Sequence, residues 1–310
     1  MFEKKNNLKG WLYLAPTLIL MAVFTFWPLI NTFAISFLEN YEGVYGEYDA
    51  IGLMNYRKIA QAIPLIGQWF SGGKVQVLPK NYKYIFTNTF IIVFVTVPIS
   101  TILSLLIAVL LNSIKKFQKI FQTVFFLPYV TNSIAIGMVF ATLFNNKYGV
   151  VNYLIDLCGG DPITWFGISS SRFHNLLVLC IYIIWNSLAF KILLFLSGLQ
   201  SIDKQYYQAA QIDSAPKWKV FLRITTPLLS PQIFYVLITS FIGAFKEYSS
   251  VVGLFGDDAV DGQVGTVVWY VYQYIDTQTG AAAAACIILF IFIMIFTAIN
   301  MYVSKKRVHY

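Results

Sequence analysis

The chain has 310 residues, of which 58% are hydrophobic and only 12% charged, and its mean hydropathy is +0.66. Soluble domains carry about 25% charged residues, so this composition excludes an ordinary soluble fold and points to a membrane protein. The formal net charge of +8 would suggest nucleic acid only if the cations formed one patch, and their distribution follows membrane topology instead.

In chain order, residues 1–9 form a short basic leader with Lys4, Lys5 and Lys9. The apolar run at about 11–38 is interrupted only by Pro16 and Pro28. A secretory signal has an apolar region of about 7–15 residues and a small-residue cleavage site. This run is longer and lacks such a site, so a retained first span is expected. Residues 39–85 are polar, aromatic and mixed in charge, with Gly72-Gly73, and read as an ordered extracytoplasmic insertion. Further spans are expected at about 86–112, 121–144, 173–199, 232–255 and 279–303, each near the roughly 20 residues that crossing requires. The fold class is therefore an all-α polytopic membrane protein, with residues 1–310 forming one transmembrane domain.

The cations test the orientation of these spans. Segments assigned to the cytoplasm hold Lys4, Lys5 and Lys9, then Lys115, Lys116 and Lys119. They also hold Lys204, Lys217, Lys219 and Arg223, and finally Lys305, Lys306 and Arg307. The longer outside segments hold only Arg57, Lys58, Lys74, Lys80, Lys83, Lys147 and Arg172, and most carboxylates, including Asp257, Asp258, Asp261 and Asp276. Retention of Lys and Arg in the cytoplasm thus predicts six spans with both termini inside.

The longest polar interruption of the C-terminal half, residues 201–231, reads SIDKQYYQAAQIDSAPKWKVFLRITTPLLSP. Lys204 to Ala215 has helix-forming residues, and Pro216 can then break or redirect the chain. Asp213 can accept a hydrogen bond from a partner or cap the local helix. An ordinary surface helix between spans is the plain alternative to a docking element. The segment resembles the EAA loop of permease subunits of binding-protein-dependent ABC importers, through Tyr207, Ala209, Ala210, Ile212, Asp213, Ala215, Trp218, Phe221 and the later ITTPLLSP. It departs from that pattern at Gln208, where Glu is usual, and at Ser214, where Gly is usual. Leu127-Pro128, Phe144, Gly149, Asn152 and the stretch Trp185 to Ile202 also look like permease segments, of the sugar-importing branch that includes maltose and glycerol-phosphate permeases.

The resemblance implies a six-helix permease fold in the cytoplasmic (inner) membrane. It also implies a second, homologous permease subunit, two ATPase subunits and an extracellular substrate-binding protein. In that family this loop is the coupling helix that sits in a cleft of the ATPase, which here assigns Tyr207, Gln208, Ala209, Ala210, Asp213, Ser214 and Ala215 to ATPase coupling. ATP with Mg is expected on the partner subunits and no cofactor on this chain.

No phosphate-loop motif is present, so the chain has no evident means of binding ATP itself. His174 and His309 are the only histidines, which argues against a catalytic set. Cys158, Cys180 and Cys286 lack metal-ligand spacing. The informative residues are polar ones inside spans, which usually face a cavity or a partner because a charge near a bilayer centre is costly. Lys191 is one, with snorkelling toward the cytoplasmic face as its alternative. Lys246 and Glu247 are others, with pairing to another subunit as theirs. Candidate substrate contacts are Asn132 and Ser133 in the third span, Asn186, Ser187, Phe190 and Lys191 in the fourth, and Phe245, Lys246, Tyr248 and Ser249 in the fifth. Aromatic faces beside hydroxyls and amides suit a sugar. The expected function is translocation of a sugar, an oligosaccharide in particular. An acidic saccharide or sugar phosphate is the alternative that Lys191 and Lys246 favour. A membrane-embedded enzyme and an ATP-independent carrier are the rivals from other classes.

Overall fold

A computed structural model describes residues 4–43, 45–64, 82–114, 118–167, 170–256, 259 and 263–307. Gly72, Gly73, Lys115, Lys116, Phe117, Asp257, Asp258, Asp261 and His309 lie outside the described residues. Packing divides the chain into two units. The first holds the described residues of Met1–Gln61 and Tyr270–Phe290; the second holds those of Pro79–Trp269 and Ile291–Tyr310, with Ala62–Pro64.

The chain opens with α1 (Lys4–Met21), a π-helical turn at Ala22–Phe26, and α2 (Trp27–Ile35). The π turn lies just upstream of Pro28. Proline has no N–H to return to the preceding turn, and one wider turn absorbs the missing bond without ending the helix. The same device recurs later in the chain. A two-stranded antiparallel hairpin, β1 (Leu38–Glu39) and β2 (Ala50–Ile51), pairs Leu38 with Ile51. It leads into α3 (Met54–Ala60). Asn55 Nδ2 donates to the carbonyls of Ser36 and Leu38, tying α3 back to the end of the first helix.

In the second unit, α4 (Ile85–Ser113) and α8 (Arg172–Ser201) are long helices packed along each other. Between them come α5 (Gln118–Val130), α6 (Ser133–Leu143) and the short α7 (Val150–Leu157). The connection from α6 to α8 is closed by two amides. Asn152 accepts from Ile163 N and Trp165 Nε1 and donates to the carbonyls of Asn146 and Ile163. Asn146 Oδ1 accepts from the backbone N–H groups of Trp165 and Phe166. Gly149 is required because a Cβ there would lie 2.4 Å from the Asn145 carbonyl oxygen.

After α8 come α9 (Lys204–Ile212), α10 (Lys217–Val220), a second π turn at Phe221–Thr225 and α11 (Thr226–Leu228). This π turn again lies just upstream of a proline, Pro227, and Thr226 Oγ1 donates to the Phe221 carbonyl inside it. The remaining helices are α12 (Ser230–Phe245), α13 (Ser249–Phe255), α14 (Val267–Tyr274) and α15 (Thr279–Arg307).

Among the described residues, four helices are long and apolar enough to cross a bilayer: Lys9–Ile35, Ile85–Ser113, Arg172–Ser201 and Thr279–Val303. The predicted third and fifth spans are not single straight helices. Ile120–Val130 and Ser133–Leu143 meet at 100°, and Lys217–Leu228 and Ser230–Phe245 meet at 69°. The run expected at 232–255 breaks again at Lys246–Tyr248. Two of these three breaks have a local side-chain cause. At Thr131–Asn132 the hydroxyl of Thr131 bonds back to Leu127 and Pro128 carbonyls, while extended Asn132 accepts from Ile134 and Ala135 N–H and starts a new helix. At Lys246–Tyr248 the Glu247 carboxylate accepts from Ser250 N–H at the start of α13. Hydropathy counts such segments as continuous because the intervening residues are few.

Candidate functional site

The second unit carries an open cavity of about 360 Å³. Its walls come from the middle of α4 (Thr96, Val97), the last turn of α5 (Tyr129), the start of α6 (Ser133), the middle of α8 (Ile183, Asn186, Ser187, Phe190, Lys191), and the end of α12 with the break beyond it (Thr239, Ser240, Gly243, Ala244, Glu247). The polar face of α4 explains why a cavity forms here. Asn88, Thr89, Thr96, Ser100 and Ser104 recur at helical spacing and are all buried, whereas Phe94, Ile102, Leu106 and Leu110 point outward. In a span the apolar side faces lipid, and polar side chains turn to the protein interior.

Lys191 is 6% exposed, and its Nζ donates to Ser100 Oγ, which in turn donates to the Thr96 carbonyl. An ammonium has three donors, so this arrangement leaves capacity beside the cavity. Glu247 sits on another wall, its carboxylate held by Ser250 N–H at 3.0 Å. Ser133 is fixed from α8: Tyr182 Oη donates to its carbonyl, and Asn186 Nδ2 donates to its Oγ at 3.3 Å. Tyr129 and Phe190 stack with centroids 5.3 Å apart and planes 16° from parallel. The result is a lining with one cation, one carboxylate, hydroxyls, an amide and an aromatic pair. Among the described residues, no three His, Cys, Asp or Glu side chains are grouped to hold a metal ion.

Of the expected substrate contacts, Ser133, Asn186, Ser187, Phe190 and Lys191 meet in this cavity. The others do not line it. Asn132 spends its side chain capping α6. Phe245 is buried on the opposite side of α12, edge-on to Phe90 and Phe296. Lys246 is exposed at the C-terminus of α12, Tyr248 lies in the break and Ser249 begins α13; none of the three lines the cavity. The break thus reverses the expected charge of this stretch, with Glu247 rather than Lys246 facing the cavity. Tyr129, Thr96, Thr239 and Ser240 were not expected here. The four-residue repeat of polar residues in 88–104 was the available signal for the α4 wall.

The loop at 201–231 forms a second feature. Asp203, not Asp213, caps α9, accepting from Gln205 N–H; Asp213 stands at the other end of the helix. The helix stops at Ile212 rather than continuing to Ala215, because Ser214 takes φ +51°. That left-handed conformation explains why glycine suits this position. Tyr207 Oη and Thr225 Oγ1 lie 3.2 Å apart, and Ala215 N–H donates to the Ala210 carbonyl. Ala210 is buried against this chain's own helices, in the wall of an 800 Å³ cavity with Val109, Asn112, Leu199 and Phe221. Gln208, Ala209 and Asp213 face outward, as do Ile212 (84% exposed) and Trp218 (62%). The outward face of the loop therefore centres on Ala209 and Ile212, and Ala210 belongs to the inward one.

Comparison with known proteins agrees with this architecture. The arabinooligosaccharides transport system permease protein AraP of Bacillus subtilis (strain 168) is 30% identical over 265 residues, covering 85% of this chain and 77% of that protein. The lactose transport system permease protein LacF of Rhizobium radiobacter is 28% identical over 251 residues, covering 80% and 76%. A crystal structure of a bacterial ABC transporter involved in import of the acidic polysaccharide alginate contains a chain with the same fold, at TM-score 0.76 and 19% identity over 97% of this chain and 96% of that one. The family model described as binding-protein-dependent transport system inner membrane component matches residues 70–310. With cavity, broken helices and loop all carried by that matched region, the chain belongs to the family of inner-membrane components of binding-protein-dependent transport systems.

Proposed function

We propose that this chain is the permease subunit through which an uncharged oligosaccharide crosses the membrane, bound on its way in the cavity between α4, α8 and α12. The observation that carries this reading is the paired lining: Lys191 and Glu247 oppose each other in sign, so the cavity has no excess of positive charge to favour an acidic sugar. An acidic saccharide would place its carboxylate in the same small space as Glu247, and like charges in one site disfavour each other. A neutral sugar uses both groups, since its hydroxyls accept from Lys191 and donate to Glu247. The Tyr129–Phe190 stack offers a face for its C–H groups. The relatives named for arabinooligosaccharides and lactose support this class of cargo.

In this reading both termini and the loop at 201–231 are cytoplasmic, and the two bent pairs complete six spans in a bacterial-type inner membrane. A second permease subunit, two ATPase subunits and an extracellular binding protein complete the transporter. ATP with Mg binds the ATPase subunits. Their closure moves the outward face of α9, and the helices joined to it expose the cavity alternately to each side.

Uptake by the assembled transporter in proteoliposomes, with its binding protein, tests the cargo. A screen of that binding protein selects the sugar, with an arabinose trisaccharide and an alginate trisaccharide as the neutral and acidic reference probes. The neutral class is expected to be carried, and Lys191→Met and Glu247→Gln should each reduce its uptake about tenfold or more. Uptake of the acidic probe, rising in Glu247→Gln, would reverse the assignment.

A further inference from the structure

Glu247 stands in the gap between α12 and α13, where its carbonyl lies outside both helical ladders. That carbonyl accepts from Thr266 Oγ1 at 2.7 Å. The same hydroxyl accepts from Trp269 N–H, capping α14. Thr266 belongs to a five-residue strap, 263–267, that is bonded to the first turns of α4. Asn88 Nδ2 donates to the carbonyls of Gln263 and Gly265, each at 2.9 Å, and Val267 N–H donates to Thr89 Oγ1. Asn88 Oδ1 accepts from both Nε and Nη2 of Arg172 at the start of α8. All four hydrogen-bonding positions of this amide are therefore used. Arg172 is held in turn over the Tyr84 ring, 4.2 Å from its centroid. Asn88, Thr89 and Thr266 are at most 1% exposed, so water does not compete for these bonds. Gly265 lets the strap lie flat, because a Cβ there would meet the Trp269 ring at 2.5 Å.

We propose that Thr266 is a positioning residue for the sugar cavity: through the strap that Asn88 and Thr89 anchor to α4, it fixes the backbone of Glu247 and so sets where the carboxylate meets the cargo. The proposal rests on the reading of Glu247 as a wall of the sugar cavity. Glu247 is pinned from two sides, its carbonyl by Thr266 and its carboxylate by Ser250 N–H. Its N–H also reaches the Ala244 carbonyl in the last turn of α12, at a long 3.3 Å, so the Thr266 bond is what fixes the carbonyl side, and removing it frees that side to shift. The strap also ties this position to α4 and, through Arg172, to α8. Three of the elements that wall the cavity, α4, α8 and α12, are thus joined at their ends by one network.

The test reads the position of residue 247 directly, whatever sugar is carried. In the assembled transporter, with Cys158, Cys180 and Cys286 of this chain replaced, Glu247→Cys or Ser187→Cys supplies a single thiol in the cavity for N-ethylmaleimide. Thr266→Val, which keeps shape and removes the hydroxyl, should change the labelling rate at position 247 by about fivefold. The rate at position 187 should stay the same, and Thr266→Ser should restore the original rate at 247. If Thr266→Val does not assemble, Arg172→Lys loosens the Asn88 anchor from the other side and should produce the same pattern, about twofold. An unchanged rate at 247, or an equal change at 187 that marks general loosening, overturns the proposal. Failure of the sugar-cavity reading shows separately, as uptake indifferent to Glu247→Gln.

Discussion

Gly137 in α6 and Gly253 in α13 let two short helices cross with their backbones in contact. A methyl group at position 137 would lie 2.7 Å from both Cα and the carbonyl carbon of Gly253. Carbon atoms prefer separations of about 3.5–4.0 Å, so Gly137→Ala requires the helices to part by about 1 Å. No side-chain rotation can relieve a backbone contact. Overpacking costs about 1–3 kcal/mol, and the better helix propensity of alanine returns at most about 1 kcal/mol. A rigid backbone-to-backbone clash falls in the upper part of that range, about 2–3 kcal/mol, so the net effect is a loss of about 1–2 kcal/mol. The displacement falls on the cavity, because α6 begins at Ser133 and α13 follows Glu247. Gly243→Ala is the comparison, since nothing lies within 4 Å of its Cβ position. There only the propensity gain operates, so stability should rise by up to about 1 kcal/mol, although the new methyl narrows the cavity. Thermal denaturation of the assembled transporter, followed by size exclusion and by uptake, reads both changes. Gly137→Ala should melt a few degrees lower and lose uptake, whereas Gly243→Ala should melt no lower than the parent. If Gly137→Ala melts and transports like the parent, the two helices do not cross at this point and the reasoning is refuted.

Three further outcomes follow from the loop at 201–231. Ala209→Trp should leave this chain folded while blocking copurification of the ATPase subunit, whereas Ala210→Trp should destabilise the chain itself, because Ala210 is buried; full transport by the 209 variant would exclude that face as the docking surface. Ser214→Gly should raise thermal stability by about 0.5–1 kcal/mol, since it relieves a left-handed non-glycine residue; a lower melting temperature would show that the serine side chain contributes more than its backbone costs. Lys217→Cys, with the native cysteines replaced, should resist an impermeant maleimide added to intact cells, and rapid labelling from outside would invert the proposed topology.

Composition and hydropathy alone identified a polytopic helical protein, because burial in lipid imposes long apolar runs that no packing detail can disguise. The loop motif was equally legible, since it is a local string of residues, and even its departure at Ser214 has a local reason in the left-handed φ. The cavity was legible only in part. Lys191, Asn186 and Phe190 could be singled out because a polar or aromatic residue inside an apolar run is visible in one dimension. Which of Lys246 and Glu247 faces the cavity was decided by the break after Phe245, where a helical turn gives way to a gap closed by Ser250 N–H and Thr266 Oγ1. The inward orientation of Ala210 likewise depends on helices over ninety residues away along the chain, such as α4. Periodicity assigns a residue to a helix face only while the helix continues. Where it breaks, contacts from distant segments set the direction of each side chain, and only the tertiary structure contains them.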